Sequence, residues 1–334
     1  MNPAQPESFN HRLEKLSTGR TYHFVDQLPK GYSPNLNATI LCVHGFPDFW
    51  YGWRHQIGPW VREGYRVVVP DMLGYGETDK PQNVEEYTTK RLCADLAALL
   101  DLIGVQRAIV IGHDWGSHTV SRFALWYPDR LVALVMLSIA YVPPSPVYLP
   151  IQEAAKKAPN LGYQVYFASQ RSTADIEANL RTFLTIVFRP PSSLVDFTKE
   201  GSLSEILPRF DSKTKDSVLL PQELNHYVEV LSKGMNGPLN YYRTTKLRHE
   251  EELAARLPSN LRSDLPVLFM WGTKDPTATR ATIRKAAKFV PRLQDIALED
   301  RGHWVMVEAK DEVTRHISEW LRGIGESLFT KGKL

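Results

Sequence analysis

Cysteine is scarce in this sequence: Cys42 and Cys93 are the only two in a chain of 334 residues. Two cysteines are too few for a disulfide framework. Cys42 falls in an apolar run that predicts a strand, and Cys93 falls in a run that predicts a helix. Buried free thiols are typical of a reducing compartment. No spacing of Cys and His resembles a metal site, and we expect neither a metal nor an organic cofactor.

Long apolar runs and net charge are also lacking. No run reaches the roughly 20 residues that cross a bilayer, and residues 1–10 contain no apolar segment typical of a secretory signal. The net charge is only +3, so no nucleic-acid partner is predicted. We expect a cytoplasmic protein, either a monomer or a homodimer. The final Gly332-Lys333-Leu334 resembles a peroxisomal signal only weakly, because glycine stands where that signal carries serine.

What the sequence does contain is an alternation of short apolar runs with amphipathic segments. The apolar runs are too short for helices and predict strands buried on both faces. These strands are predicted at residues 21–25, 38–43, 65–70, 106–111, 131–137, 267–271 and 293–298. Helices are predicted at residues 89–103, 280–289 and 311–328. This α/β pattern predicts a mostly parallel sheet with helices on both faces.

The alternation stops between Pro143 and Arg248. Four prolines at positions 143, 144, 146 and 150 predict a linker. No strand-like run follows until residue 248, and helices are predicted at residues 151–157, 176–187 and 222–233. The sequence therefore predicts two domains: a core formed by residues 1–142 and 249–334, and an all-helical cap, or lid, formed by residues 143–248.

The most informative motif is Gly-His-Asp-Trp-Gly at residues 112–116, between a predicted strand and a helical segment. Two glycines around a central nucleophilic residue form the nucleophile-elbow pattern, in which a sharp strand-to-helix turn exposes the central side chain. That residue is usually serine, and here it is Asp114. A serine that attacked a saturated carbon would form a stable ether, whereas a carboxylate forms an ester that water can hydrolyse. The motif therefore indicates displacement at a saturated carbon.

A nucleophile elbow requires a base and an acid that orients it, in the chain order nucleophile, acid, histidine. Asp275 follows the predicted strand 267–271, and His303 follows the strand 293–298. We expect Asp275 to hold the imidazole of His303 in one tautomer. His303 then removes a proton from water, and this water attacks the ester on Asp114.

Attack on an ester creates an oxyanion, which needs hydrogen-bond donors. His-Gly-Phe-Pro at residues 44–47 follows the predicted strand 38–43 and offers the backbone N–H of Phe46. Trp115, directly after Asp114, offers the second N–H. A cis peptide bond before Pro47 is expected in this tight turn.

Together these motifs resemble the soluble epoxide hydrolases of the α/β-hydrolase fold. The resemblance rests on residues 44–51, on residues 112–116 and on the Asp275/His303 pair, and the loop at residues 71–76 is similar as well. It extends from about Ser8 to Leu328. Haloalkane and haloacetate dehalogenases share the elbow and the His-Gly-x-Pro motif, so these two motifs do not distinguish the families.

The resemblance implies that two cap tyrosines protonate the epoxide oxygen. Residues 162–167 resemble the first tyrosine motif and place Tyr163 at the working position, with Tyr166 as the alternative. Residues 237–243 resemble the second motif and place Tyr242 there. Many relatives carry tryptophan where this chain has Tyr241, a departure that affects the pocket wall. A phenol with a pKa near 10 stays protonated at neutral pH.

Two other functions remain open from the sequence. A dehalogenase would use the same Asp/His/Asp set, but its cap needs N–H donors for the halide, and residues 143–248 contain no tryptophan. A non-enzymatic ligand receptor would not need every catalytic position filled. The expected substrate is a small apolar epoxide, because aromatic and aliphatic side chains are predicted to line the pocket. The predicted pocket residues are Phe46, Trp115, Tyr141, Gln164, Tyr166, Tyr241 and Trp304.

Overall fold

The computed structural model describes residues 1–210 and 217–329, with side chains to residue 325. Its centre is one eight-stranded sheet in the order β1-β2-β4-β3-β5-β6-β7-β8. The pairs β1–β2 and β2–β4 are antiparallel, and the other strand pairs are parallel. The strands are β1 His11–Lys15, β2 Thr21–Gln27, β3 Thr39–Val43, β4 Arg66–Pro70, β5 Ala108–His113, β6 Leu131–Leu137, β7 Val267–Gly272 and β8 Leu293–Leu298.

Helices connect the parallel strands and cover the sheet. β3, β4, β5 and β7 are buried along their whole length, which requires helices on both faces. The helices of the strand-bearing part are α1 Arg54–Arg62, α2 Thr89–Leu102, α3 Trp115–Trp126, α12 Arg280–Ala286, α13 Val305–Glu308 and α14 Lys310–Phe329. α2 packs against α3, and α1 packs against α14. The predicted α/β-hydrolase architecture is therefore confirmed.

Between β6 and β7 the described residues, 138–210 and 217–266, form eight α-helices and no strand. These helices are α4 Ile151–Lys157, α5 Tyr163–Ala168, α6 Arg171–Ala178, α7 Leu180–Val187, α8 Ser202–Ile206, α9 Pro221–Leu231, α10 Asn236–Arg243 and α11 Thr245–Ala254. α5 packs against α10 and α7 packs against α9. We call this helical segment the cap. That it forms a separate domain remains a prediction.

Several elements differ from the sequence prediction: helices α1, α5, α8, α10, α11 and α13 and strand β1 were not predicted, and one predicted helix is divided in two. Strand β1 was not predicted, because its sequence, His-Arg-Leu-Glu-Lys, contains one apolar residue and no buried one. It pairs with β2 at the edge of the sheet, where polar side chains are common. The helix predicted at residues 176–187 is two helices, α6 and α7, separated at Asn179. Asn179 has φ −128° and ψ 29°, and asparagine is unfavourable inside a helix because its amide competes for backbone hydrogen bonds.

Both cysteines lie where the sequence predicts. Cys42 is buried in β3 and Cys93 is buried in α2, and both are free thiols. Among residues 1–210 and 217–329, no helix combines the length and the hydropathy that a bilayer span requires. The C-terminal Gly332-Lys333-Leu334, weighed above as a peroxisomal signal, lies outside the described residues.

The turn from β5 into α3 depends on a very close contact between backbones. Asp114, between the two elements, has a φ of 53°, a conformation that costs a non-glycine residue free energy. Two residues later, a Cβ atom on Gly116 would lie 2.0 Å from the carbonyl oxygen of Val43. Glycine at position 116 therefore lets α3 start directly against the end of β3.

We predict that Gly116→Ala destabilises the protein, because either α3 or β3 must move to accommodate the methyl group. Overpacking of this kind typically costs about 1–3 kcal/mol. Gly323→Ala is the matched control, since a Cβ atom at Gly323 in α14 meets no atom within 4 Å. Alanine in a helix interior is favoured over glycine by about 0.5–1 kcal/mol. Guanidinium unfolding curves should show a lower midpoint for Gly116→Ala alone; equal midpoints for the two variants would contradict the prediction.

Candidate active site

Three predicted site residues meet at the carboxyl edge of the sheet. Asp114 follows β5, Asp275 follows β7 and His303 follows β8, and parallel strands deliver the residues after their carboxyl ends to one edge. His303 Nδ1 lies 2.8 Å from Oδ2 of Asp275, and His303 Nε2 lies 3.5 Å from Oδ2 of Asp114. The imidazole is therefore held between two carboxylates, with one ring nitrogen facing each.

The other carboxylate oxygen of Asp114 faces the loop after β3. The backbone N–H of Phe46 donates a 2.8 Å hydrogen bond to Oδ1 of Asp114. This approach depends on Gly45, where a Cβ atom would lie 2.5 Å from the Cβ of Asp114. Trp115 is the first residue of α3, where amides have no intrahelical acceptor. The expected cis peptide bond between Phe46 and Pro47 is present.

The paired charges control the ionisation of Asp114 and His303. Burial raises the pKa of the Asp114 carboxyl, but the hydrogen bond and charge of His303 outweigh burial, and the pKa lies below its ordinary value. Burial lowers the pKa of the His303 imidazole. The charge of Asp275 and the hydrogen bonds with both carboxylates outweigh that effect and raise the pKa to about 10. In the resting site, an imidazolium therefore lies between two carboxylates.

Three residues that the sequence analysis did not identify hold this arrangement in place. The N–H and hydroxyl of Thr277 both donate to Oδ1 of Asp275, at 2.8 and 2.7 Å. The backbone carbonyl of His303 accepts hydrogen bonds from Ser138 Oγ at 2.7 Å and from His113 Nε2 at 2.9 Å. Burial lowers the pKa of His113 to about 4, so His113 is neutral and donates from Nε2.

Sequence signals for these three residues were weak. Thr277 lies two residues after Asp275, and the hydroxyl of a threonine at that spacing commonly bonds to an aspartate in a turn. His113 is part of the elbow motif, directly before Asp114, but the motif does not indicate a role for this histidine. Ser138 follows the end of β6 and has a φ of 66°. No pattern in the sequence predicts this conformation.

A cavity of about 290 Å³ lies beside the two carboxylates and the imidazole. Residues of the cap form part of its wall. Of the predicted residues, those in its wall are Asp114, Asp275, His303, Phe46, Tyr163, Tyr242 and Trp304. Tyr163 comes from α5 and Tyr242 from α10, the two helices that pack against each other.

Both cap tyrosines are fixed by aromatic contacts. The ring of Tyr242 packs against Phe46 and Trp115, with centroids 5.1 and 5.0 Å apart. The ring of Tyr163 packs edge-on against Phe167 at 5.4 Å. Burial, together with the charge of Asp114, raises the pKa of both phenols above the ordinary value of tyrosine. Both side chains are therefore protonated hydrogen-bond donors at neutral pH.

Two tyrosines predicted to line the pocket lie outside the cavity wall. The hydroxyl of Tyr141 donates to the carbonyl of Ser259 at 2.7 Å, which directs this side chain toward the loop before β7. The hydroxyl of Tyr241 donates to the carbonyl of Leu73 at 3.0 Å, where its ring packs against other core aromatics. Tyr241 and Tyr242 are adjacent in α10, so their side chains leave the helix in different directions.

Three further predicted pocket residues also lie outside the wall. Tyr166 donates its hydroxyl to Asp175 at 3.1 Å, in the cap and away from Asp114. Gln164 is half-buried, next to Tyr163 in α5, and does not reach the cavity. The indole of Trp115 does not line the cavity, and its ring packs edge-on against the ring of Tyr242. Within the described part of the chain, no cluster of His, Cys, Asp or Glu side chains could hold a metal ion.

Comparison with known proteins agrees with this geometry. The family model described as alpha/beta hydrolase fold matches residues 38–310. Epoxide hydrolase A of Mycobacterium tuberculosis is 33% identical over 307 residues, which cover 85% of this chain and 90% of the relative. Bifunctional epoxide hydrolase 2 of the mouse is 30% identical over 96% of this chain. The chain spans 57% of the length of that mouse relative.

Solved structures give the same result. An epoxide hydrolase from an endophytic Streptomyces superposes with a TM-score of 0.84 at 30% identity, covering 95% of this chain and 96% of that one. An epoxide hydrolase from Vigna radiata superposes with a TM-score of 0.80 at 28% identity, covering 96% and 99%. The fold and the site define an α/β-hydrolase with an aspartate at its nucleophile elbow. Within that class, the chain belongs to the epoxide hydrolase family.

The position of His303 between two carboxylates generates a prediction about its titration. Asp114→Asn removes one of the two negative charges that keep the imidazole protonated, so the pKa of His303 should fall from about 10. Imidazole resonances followed by NMR against pH would show the change. Asp300→Asn is the control, because Asp300 is an exposed carboxylate three residues away that pairs with Lys274. A His303 that is already neutral at pH 7 in the unaltered protein would refute the prediction.

Proposed function

We propose that this protein hydrolyses epoxides to vicinal diols through a covalent ester on Asp114. The observation that carries the proposal is that two protonated phenols, Tyr163 and Tyr242, share one cavity with the Asp114 carboxylate and His303. A carboxylate can attack a saturated carbon, and phenols can protonate the oxygen that departs. The epoxide hydrolase names of the relatives support the same reaction.

Ring opening uses the ionised form of Asp114, which the lowered pKa of this carboxyl provides. A carboxylate oxygen of Asp114 forms a bond to an epoxide carbon while the bond from that carbon to the ring oxygen breaks. The ring oxygen leaves as an alcohol, because it takes a proton from Tyr163 or Tyr242. Without such a donor the leaving group would be a strongly basic alkoxide.

The ester then changes the environment of His303. Esterification removes the charge of Asp114, so the pKa of the imidazolium falls, and its proton passes to the tyrosine phenolate that ring opening has left. The neutral imidazole can now remove a proton from water. The resulting hydroxide attacks the carbonyl carbon of Asp114. The N–H groups of Phe46 and Trp115 stabilise the oxyanion.

Collapse of the tetrahedral intermediate releases the diol with the bridging oxygen, and the leaving oxygen takes its proton from the imidazolium. The oxygen from water stays in the carboxyl of Asp114. That carboxyl then gives its proton to His303, which restores the resting pair. Asp275, held by Thr277, keeps the imidazole oriented through both steps.

The cap favours an epoxide over a haloalkane. A halide ion needs N–H donors, and the cap contributes the phenols of Tyr163 and Tyr242 and a single N–H donor side chain, Arg189, to the cavity wall, while residues 143–248 contain no tryptophan. Phe46, Tyr163, Tyr242 and Trp304 supply an aromatic wall that suits an apolar epoxide. The free thiols of Cys42 and Cys93 support a reducing compartment such as the cytoplasm.

The tyrosines provide the first test. Tyr163→Phe and Tyr242→Phe each remove one proton donor, and the double variant removes both, so turnover of an epoxide such as styrene oxide should fall about 10²–10⁴-fold in the double variant. Each single variant should lose less. Tyr166→Phe is the matched control, because Tyr166 lies in the same helix but outside the cavity. Full activity of the double variant would exclude the assigned role.

The second test traps the ester. In His303→Gln, Asp114 can still attack the epoxide, but no base activates the water, so the alkyl-enzyme should accumulate. Intact-protein mass spectrometry should then show an increase equal to the mass of one substrate, and peptide mapping should place it on Asp114. The variant that also carries Asp114→Asn should gain no mass. A His303→Gln protein that releases diol at the normal rate would contradict this mechanism.

A further inference from the structure

The last residue of α10, Arg243, follows Tyr242 directly, and its side chain returns to the surface of its own helix. Nη1 donates hydrogen bonds to the amide oxygens of Asn236 at 2.9 Å and of Asn240 at 3.1 Å. These asparagines lie two turns and one turn before Arg243, so all three side chains share one face of α10. One arm of the guanidinium is therefore fixed along the helix that carries Tyr242.

The other arm of the guanidinium crosses to the turn between α5 and α6. Nη2 shares its two hydrogens among three oxygens: the carbonyl of Ser169 at 3.0 Å, Oγ of Ser172 at 3.2 Å and Oγ1 of Thr173 at 2.8 Å. Ser169 directly follows α5, the helix that carries Tyr163, and the other two residues lie in the first turn of α6. Arg243 therefore joins the two helices that bring tyrosines to the catalytic cavity.

One of these contacts leads to an aromatic ring that touches both tyrosines. Ser172 is fully buried, and its hydroxyl donates to the carbonyl of Phe167 at 3.0 Å. The ring of Phe167 packs against Tyr163 and Tyr242, with centroids 5.4 and 5.0 Å apart. The guanidinium is therefore connected, through one serine, to the ring that lies between the two phenols, although Arg243 itself does not line the cavity.

A guanidinium suits this position because it is a rigid fork. The five acceptors around Arg243 are neutral carbonyl, hydroxyl and amide oxygens. The side chain is half-buried, and burial lowers the pKa of its guanidinium. Hydrogen bonds from a charged donor are stronger than neutral ones, so these contacts hold their geometry firmly. A lysine would keep the charge, but its single nitrogen cannot occupy both positions of the fork.

We propose that Arg243 is a positioning residue for ring opening: it holds α5 and α10 at the separation that lets Tyr163 and Tyr242 reach the same epoxide oxygen. This inference rests on the proposed function and adds a residue that acts through the two tyrosines without touching the substrate. Proton transfer requires a donor within hydrogen-bond reach of its acceptor. A misplacement of about 1 Å can lower a rate by roughly 10²-fold. Arg243 therefore acts on the step in which the phenols donate their protons.

The rate of ester formation tests the inference in a background where the ester does not break down. In His303→Gln the alkyl-enzyme is expected to accumulate, so the mass gained with styrene oxide reports ring opening alone. Adding Arg243→Lys should lower the rate constant of this mass gain about 10- to 100-fold, because the phenols lose their shared position. The final yield should still reach one ester per protein. An unchanged rate constant would overturn the inference.

A double-mutant cycle separates positioning of the tyrosines from general damage to the fold. In the same background, Arg243→Lys is also added to a protein that already carries Tyr163→Phe and Tyr242→Phe. No phenol is then left to position, so the added substitution should have little further effect on ester formation. If Arg243→Lys slows the reaction by the same factor with and without the phenols, its role is merely structural and the inference fails.

Arg181→Lys is the matched control. Arg181 in α7 donates to Oδ1 of Asn225 in α9 at 2.7 Å, so its guanidinium also joins two helices of the cap. Neither of these helices carries Tyr163 or Tyr242, and the rate constant of ester formation should therefore not change. A loss as large as that of Arg243→Lys would show a general response of the cap and overturn the inference.

Thr173→Val approaches the same contact from its other side and leaves Arg243 in place. It removes the acceptor that lies 2.8 Å from Nη2 while keeping nearly the same side-chain volume. Ester formation should slow by a smaller factor than in Arg243→Lys, and the loss should again vanish without the two phenols. A folded Thr173→Val protein with an unchanged rate constant would also overturn the inference.

The same measurements distinguish this inference from the proposed function. If His303→Gln gains mass equally fast with and without Arg243→Lys, the role of Arg243 is wrong and the covalent mechanism stands. If His303→Gln gains no mass with styrene oxide and related epoxides, the proposed function fails, and the role of Arg243 fails with it.

Discussion

The site depends on one imidazole held between two carboxylates. His303 contacts Asp275 through one ring nitrogen and Asp114 through the other. The buried carboxylates of Asp114 and Asp275 would each be costly alone, and the partly buried imidazolium between them offsets that cost. The sheet makes the contact possible, since β5, β7 and β8 are parallel and bring their carboxyl ends to one edge. The close contact of Gly116 with β3 then starts α3 immediately after Asp114.

Burial raises the pKa of acids near Asp114 and His303 and lowers the pKa of bases there, and the proposed chemistry depends on both effects. It raises the pKa of the phenols of Tyr163 and Tyr242, which keeps them protonated, and it lowers the pKa of His113, which keeps this histidine neutral. Asp114 remains ionised because the charge of His303 outweighs burial. One cavity therefore contains a carboxylate and two neutral hydrogen-bond donors, which are the groups that the proposed reaction requires.

The cap completes the site by adding two tyrosines and an arginine to the cavity wall. α5 and α10 place their tyrosines above Asp114, and the rings of Phe46, Trp115 and Phe167 fix the positions of these tyrosines. The segment after α7 adds Arg189 to a wall that is partly apolar and partly charged. The core would thus supply the chemistry common to the fold, whereas the cap would supply the proton donors and the selection of the substrate.

The sequence by itself determined the alternation of strands and helices, and the positions of Asp114, Asp275 and His303 after three of the predicted strands. These features depend on local hydrophobic patterns and on chain order. Only the tertiary structure decided which side chains reach the cavity: Tyr141, Tyr166 and Tyr241 face other partners, whereas Thr277 and Ser138 support the site. The reason is physical. The direction of a side chain depends on how its helix or loop packs against distant parts of the chain, and a single sequence does not encode that packing in any local pattern.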